Sequence, residues 1–424
     1  MILTLTLFLC MLIGMPVFVA IGFSCIASMW DSPLPMTFIP QNLYTGMDQF
    51  PLIAIIGFVL AGFLMEPAGI TDKIVDVAKK IIGSLTGGLA IVTILSCMIF
   101  SSLSGSGPAT TAAIGSLMIP GMIMAGYSKN FAAGVTSTGG TLGILIPPSN
   151  PLIIYGVVAN ASITGLFLAG VIPGMMLTTL YIIAAYLIAR RNGFKGTEEA
   201  FSGKELLLSI WRGKWALLMP VIILGGIYGG IFTPTEAAEV GAVYAIFVGF
   251  VITRTLTVKG LIDALIRTSA MAGTVTVLVG ISMTFSRLIT LYRIPQAVGD
   301  FLFSISSNPT VILLIIAAIL FLAGFIADTI AMIVVLTPIF LPVTAKLGIH
   351  PIHLGILFVV CCEAGFLTPP FGANLFVSMK LIDVRLEELA VAVLPFIAVI
   401  ILVVLAVAVF PQISLILPQL VLGH

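Results

Sequence analysis

The sequence predicts an all-α polytopic membrane protein made of two inverted repeats, each with a re-entrant helical hairpin and a broken helix. Three observations carry that expectation. Of the 424 residues, 60% are hydrophobic and only 8% charged, with a mean hydropathy of +1.24, whereas soluble domains carry about a quarter charged residues. Two double prolines, in GILIPPSN (143–150) and GFLTPPFG (365–372), interrupt apolar stretches long enough to cross a bilayer, although each proline ring removes a backbone donor and crowds the preceding turn. Finally, a constant shift of 222 positions superposes Pro120 on Pro342, Gly126 on Gly348, Gly143 on Gly365, Pro147 and Pro148 on Pro369 and Pro370, and Pro173 on Pro395.

The elements follow in order, given that a span needs about 20 apolar residues. The opening MILTLTLFLCMLIGMPVFVAIGFS has neither a basic n-region nor a small-residue cleavage site, so 2–26 is expected to be a retained first span. Further spans are expected at 51–66, 131–160, 164–189, 215–231, 237–253, 270–286, 353–381 and 387–415. Two stretches, 84–125 and 309–343, carry a small, polar interruption, SSLSGSGPATT (Ser101–Thr111) and AGFIADTIAM (Ala323–Met332), and are expected to be hairpins of two half-helices. The amphipathic 67–83 and the basic run 190–215 read as interfacial anchors. The chain is then one membrane unit, 1–424: a first repeat over 1–189, a cytoplasmic connector over 190–214, and an inverted second repeat over 215–424. The first copy has no counterpart of 215–231, which leaves room for a partner subunit.

Basic residues sort the two sides. Lys73, Lys79 and Lys80 form one cluster, Arg190, Arg191, Lys195, Lys204, Arg212 and Lys214 a second, and Arg254, Lys259 and Arg267 a third. With all three in the cytoplasm, 84–125 must dip in from the cytoplasm and 309–343 from the opposite face; Arg287, Arg293 and Lys346 then fall outside.

Composition also narrows the function. A net charge of +1 points to neither nucleic acid nor an acidic partner, and Cys10, Cys25, Cys97, Cys361 and Cys362 lie in apolar runs without metal-ligand spacing. The SGSG run is followed by no Lys-Ser/Thr and flanked by no strand, so it is not a phosphate loop. No His/Glu/Asp cluster offers an acid–base pair or a metal site, so the chain is not expected to be an enzyme; a channel has no need of inverted hairpins.

Irregular backbone at membrane depth is tolerated only where protein or a water-filled cavity covers it. A broken helix frees carbonyls on one half, which with Ser and Thr hydroxyls suit Na⁺, and N–H groups on the other, which suit a carboxylate. This is the sequence pattern of a secondary transporter. The alternative is that the prolines only kink and the SGSG run only packs, but the pattern occurs in both halves. Two acids sit in apolar surroundings. Asp328, whose counterpart by the shift is Ser106, lies at the second tip as a cation ligand, substrate contact or helix cap. Glu363, whose counterpart is Thr141, reads as a structural or interface residue. No Arg or Lys lies in the four breaks.

The runs SSLSGSGPATTAAIGSLMIP, GGTLGILIPPSNPLIIYG, GGIYGGIFTPTEAAEVGAVYA and EAGFLTPPFGANLF resemble, in order and from about Met1 to Leu415, the large membrane subunit of tripartite ATP-independent periplasmic (TRAP) transporters. The resemblance implies a multi-pass protein of the bacterial inner membrane. It implies a small four-helix membrane subunit and a periplasmic substrate-binding protein as partners. It further implies Na⁺-coupled import of an organic acid by an elevator motion, sialic acid being preferred slightly over a C4-dicarboxylate. Carried over residue by residue, it places one Na⁺ site at Ser101, Ser104, Gly143, Ile146 and Pro148, a second at Gly324, Gly365, Thr368 and Pro370, and the substrate near Ser106, Ser149, Asp328 and Asn374. The runner-up is a stand-alone ion-coupled carboxylate transporter of the same superfamily, needing no binding protein.

Overall fold

The computed structural model describes residues 2–30, 34–82, 85–194, 196 and 202–423. Lys195 of the second basic cluster, part of the connector and the first residue of the expected hairpin 84–125 lie outside the described residues. Twenty α-helices are found among the described residues: α1 (Ile2–Leu12), α2 (Val17–Met29), α3 (Phe38–Met47), α4 (Leu52–Met65), α5 (Ile70–Ile82), α6 (Gly88–Ser104), α7 (Gly107–Met124), α8 (Lys129–Thr141), α9 (Asn150–Ala159), α10 (Ile163–Arg191), α11 (Gly203–Tyr228), α12 (Pro234–Phe247), α13 (Val258–Leu291), α14 (Ile294–Ile305), α15 (Pro309–Gly324), α16 (Thr329–Lys346), α17 (Pro351–Phe366), α18 (Ala373–Leu381), α19 (Leu386–Val409) and α20 (Gln412–Leu422). Seven are long and apolar enough to cross a membrane, α12 being counted with the π-helical turn Val248–Ile252 that continues it, or nine crossings result if two sharply bent pairs each count as one span.

Both expected hairpins are present, α6–α7 and α15–α16, and both expected broken spans are split at the double prolines, α8 from α9 and α17 from α18. Four expected spans differ. The one at 215–231 is the second half of the 26-residue α11, which begins at Gly203 inside the expected connector. The stretch 2–26 is two helices that pack on each other, because Gly14 adopts a left-handed φ of 82° and Pro16, in extended conformation, caps α2. The expected 387–415 is divided as well: α19 ends at Val409, Phe410 leaves helical geometry at φ −117° and ψ 85°, and Pro411 opens α20. The span expected at 270–286 is the centre of the 34-residue α13, which continues unbroken through the basic stretch containing Arg267. The amphipathic segment 67–83 becomes α5, which lies against α11 and is tied there by a Lys80–Glu205 ion pair of 2.7 Å and a Ser209 hydroxyl donating to Asp76 at 2.6 Å.

Helix bounds follow the shift of 222: the bounds of α7 become those of α16, and α8, α9 and α10 fall on α17, α18 and α19. Packing follows it as well. Helix α9 packs on α16 as α18 packs on α7, and α8 packs on α19 as α17 packs on α10. Such exchanged pairings relate the two copies by a pseudo-two-fold axis. The axis can be located, because equivalent residues meet only next to it. Thr141 and Glu363, 222 positions apart, are in contact, with the Thr141 hydroxyl 3.2 Å from Glu363 Oε2.

Candidate functional site

Each hairpin tip is formed differently. In the first, Gly105 ends α6 in the left-handed region at φ 59°, with its N–H on Ser101 O at 3.2 Å; Ser106 is extended, and α7 starts at Gly107–Pro108. In the second, no glycine turns the chain after α15; Asp328 instead caps α16, its carboxylate accepting from Ile330 N at 3.1 Å. The breaks share their chemistry. Past a short 3₁₀ turn at Leu142–Ile144, the Pro147–Pro148 bond is cis, as is Pro369–Pro370.

Tip and break are packed backbone to backbone in both halves. A Cβ at Gly143 would lie 2.6 Å from Ser106 O, and one at Gly105 would lie 3.1 Å from Pro148 O; Asn150 N–H donates to Gly105 O at 3.4 Å. A Cβ at Gly365 would overlap Gly324 O, and Phe371 N–H donates to Phe325 O at 3.3 Å. Only glycine admits approach this close.

At the first pair, buried oxygens converge. Thr110 Oγ1 donates to Ser106 O at 2.8 Å and lies 3.0 Å from Ser104 Oγ and 3.5 Å from Ser101 Oγ. Together with the carbonyl of Ser106 they make a neutral, all-oxygen set, the donor type a hard cation takes, and Pro148 O stands across Gly105 at the tip. Gly143 supplies the close approach. The Ile146 side chain packs toward α10, where a Cβ at Gly174 would meet Ile146 Cγ1 at 2.9 Å, so the group it has to offer a cation is its backbone carbonyl. At the second pair Gly324 and Gly365 touch, while Thr368 is partly committed to its own loop: its hydroxyl donates to Ala364 O at 2.8 Å and its carbonyl accepts from Gly372 N at 2.9 Å. Pro370 lies in that loop. Oxygen donors again dominate, and among the described residues no three His, Cys, Asp or Glu side chains gather as a divalent-metal site would require.

Between the tips lies a cavity of about 110 Å³ lined by Ser106, Asp328 and Asn150 among others. Ser106 and Asp328 are equivalent by the shift, so this cavity also lies near the axis. The starts of three helices face it, through Gly107–Pro108 of α7, Asn150–Pro151 of α9 and Thr329–Ile330 of α16; helix starts carry unpaired N–H groups and partial positive charge. Asn374 is fully buried just behind the first tip. Its amide donates to Ser137 O at 2.9 Å, while its Oδ1 has no partner among the described residues and lies 3.3 Å from where a Gly107 Cβ would be. Ser149 is turned away: its hydroxyl caps α9 and hydrogen-bonds Ile144 O.

Two residues not expected from the sequence belong to this region. Asn150 is buried on the cavity wall with neither amide atom paired among the described residues; in sequence it reads only as a helix start after Ser149. Thr110 links the serines of the first tip, and its spacing one turn beyond Ser106 was the available signal. Glu363, which is not among the residues lining the cavity, is fully buried. Thr141 bridges it to Tyr181, with hydroxyls 3.1 Å apart, and Glu363 Oε1 is unpartnered among the described residues.

Helices broken inside apolar surroundings, hairpin tips docked on those breaks and a shared cavity near the axis define a membrane permease built from two pseudo-symmetric halves, not an enzyme. The chain belongs to the DctM component family of tripartite ATP-independent periplasmic transporters, whose pattern it matches over residues 4–413, and is thereby an integral protein of the inner membrane. It is 39% identical to the sialic acid TRAP transporter large permease protein SiaM of Vibrio cholerae, over 97% of this chain and 96% of that one. It is 38% identical to the isethionate TRAP transporter permease protein DctMQ of Oleidesulfovibrio alaskensis over 96% of its own length, and spans 64% of that relative's length. The C4-dicarboxylate large permease protein DctM of Pseudomonas aeruginosa is 38% identical over 92% of this chain and 91% of that one. Among solved structures, the YdaH transporter of Alcanivorax borkumensis shares the fold, with a TM-score of 0.65 at 15% identity over 89% of this chain and 88% of that one.

Proposed function

We propose that the chain is the translocating subunit of a Na⁺-coupled importer of an organic acid, working with a small membrane subunit and a periplasmic binding protein. The observation that carries this is the docking of each glycine-lined tip on its own double-proline break. The first pair, with Ser101, Ser104, Gly143, Ile146 and Pro148, would hold one Na⁺ through hydroxyls and carbonyls. The second, with Gly324, Gly365, Thr368 and Pro370, would hold another. Bound Na⁺ supplies positive charge that the breaks themselves lack.

The substrate carboxylate sits in the cavity between the tips, facing the helix starts of α7, α9 and α16, with Ser106 and Asn150 as polar contacts and Asn374 supporting the first tip from behind. Asp328 disfavours an anion until cations are present, which couples binding of the two. The two hairpins and the two broken helices carry the site by an elevator motion against the remaining helices. Relatives named for a sugar acid, a sulfonate and a dicarboxylate are equally similar, so the shared substrate class is a small organic anion; sialic acid stands as the first acid to try, and the binding protein selects among them. Proteoliposomes holding both membrane subunits, supplied with loaded binding protein, should lose uptake when Na⁺ is replaced by K⁺ or choline. Uptake by this chain alone, without a binding protein, would favour a stand-alone carrier instead.

A further inference from the structure

The cavity between the tips adjoins a larger one through residues that line both it and a small cavity between them. A constriction of about 10 Å³ shares Ser106 and Met271 with it. On its far side the constriction shares Gly62, Phe63 and Ala109 with a vestibule of about 320 Å³. Asp263, Arg267 and Met271 succeed one another at four-residue spacing on α13 and so lie on one face of that helix. That face runs the length of the route, with Asp263 and Arg267 on the vestibule and Met271 at the constriction. The opposite wall is made smooth by Ala109, Ala112 and Ala113 of α7.

Charge is distributed unevenly along this route. Among the described residues no Lys or Arg lines the tip cavity or the constriction, whereas Arg267 lines the vestibule with Glu66 and Asp263. Arg267 is exposed and forms no ion pair with either acid among the described residues. Its guanidinium is therefore available to a ligand, and the two carboxylates outnumber it, so that an anion that pairs with Arg267 is not held tightly there. A guanidinium also offers paired donors of the geometry a carboxylate or sulfonate accepts.

We infer that these adjoining cavities are the route by which the organic anion passes between the hairpin tips and the face bearing the basic clusters, with Met271 as its constriction and Arg267 as the residue that draws the anion along it. The inference rests on reading the chain as a carrier of organic anions, but its principal test needs neither substrate nor a Na⁺ gradient. Thiols introduced singly by Met271→Cys and Ala109→Cys are reacted, in right-side-out and inside-out vesicles carrying the full chain, with two membrane-impermeant methanethiosulfonates, one bearing a sulfonate and one a trimethylammonium group. The five native cysteines are buried, which keeps the background low.

Both introduced thiols should react from the face bearing the basic clusters. Adding Arg267→Gln should lower the ratio of anionic to cationic reagent rates by roughly tenfold, the scale on which charge in a cleft alters local ion concentration, and Arg267→Lys should keep it. In uptake, Arg267→Gln should lower the maximal rate severalfold and leave the KM within about twofold, because the tips are untouched. Protection of both thiols from both sides, or a rate ratio unchanged by Arg267→Gln, overturns the route. Uptake that proves independent of Na⁺ would overturn the proposed coupling and leave this ratio test standing.

Discussion

Replacing Gly143 by alanine tests the tip–break contact most directly. The new Cβ would lie 2.6 Å from Ser106 O, 2.7 Å from Ser106 C and 3.0 Å from Gly107 N. All three are backbone atoms, so no side chain can swing aside. To reach even the 3.0 Å that real Cβ contacts respect, the tip must withdraw by 3.0 − 2.6, or about 0.4 Å. Overpacking of this kind costs about 1–3 kcal/mol. Because Ser106 O is held by Thr110, which also contacts Ser104, the displacement spreads into the oxygen cluster assigned to the first Na⁺. If half of that cost, about 0.5–1.5 kcal/mol, falls on the ion-bound state, the Na⁺ concentration for half-maximal uptake should rise about two- to tenfold, each tenfold corresponding to about 1.4 kcal/mol. The assay is proteoliposome uptake against a Na⁺ titration, with Gly121→Ala, whose Cβ meets nothing within 4 Å, as the matched control. A Gly143→Ala protein that reconstitutes normally and keeps its Na⁺ dependence would refute the assignment of the first site to this contact.

Asp328→Asn keeps a good helix cap while Asp328→Ala removes it, at a cost of about 1 kcal/mol; if the carboxylate acts in coupling, both should depress substrate-dependent uptake severalfold with assembly intact, whereas a purely capping role leaves Asn at full rate. Glu363→Gln should preserve the Thr141 hydrogen bond and thermal stability in detergent, while Glu363→Ala opens a cavity beside two stranded hydroxyls and should lower stability by about 2–4 kcal/mol, read as an earlier thermal unfolding transition; equal melting of both variants would remove Glu363 from the packing of the axis.

Much of this was legible from glycine and proline alone. Both prolines of each pair are strong local determinants, so the breaks at 147–148 and 369–370 fall where the sequence places them, and the shift of 222 carries the hairpins with them. What was missed depends on surroundings. The break at Gly14–Pro16 sits in a run whose hydropathy never falls, so only backbone conformation distinguishes two short helices from one span. Helix α13 continues through Arg267 because its polar residues repeat on one face, a pattern that reads as a basic loop when the residues are simply counted. Ser149 shares a stretch with the prolines, yet its hydroxyl serves the break's own backbone. Asn150 beside it holds the unpaired amide, a distinction that adjacency in sequence cannot make. The pairing of Thr141 with Glu363 was implicit in the shift but required knowing where the axis passes.

That last contact bears on how such a molecule can arise. In a dimer of identical chains, any residue on the symmetry axis faces its own copy. Two glutamates placed as Glu363 is would set carboxylates against each other out of water, and like charges that close cannot both be ionised; two threonines would meet with no acid to bridge. Joining the copies into one chain frees the two positions to diverge, so that a hydroxyl on one side of the axis can serve a carboxyl group on the other. Covalent linkage thus admits chemistry at the centre of the molecule that no symmetric pair of subunits could place there.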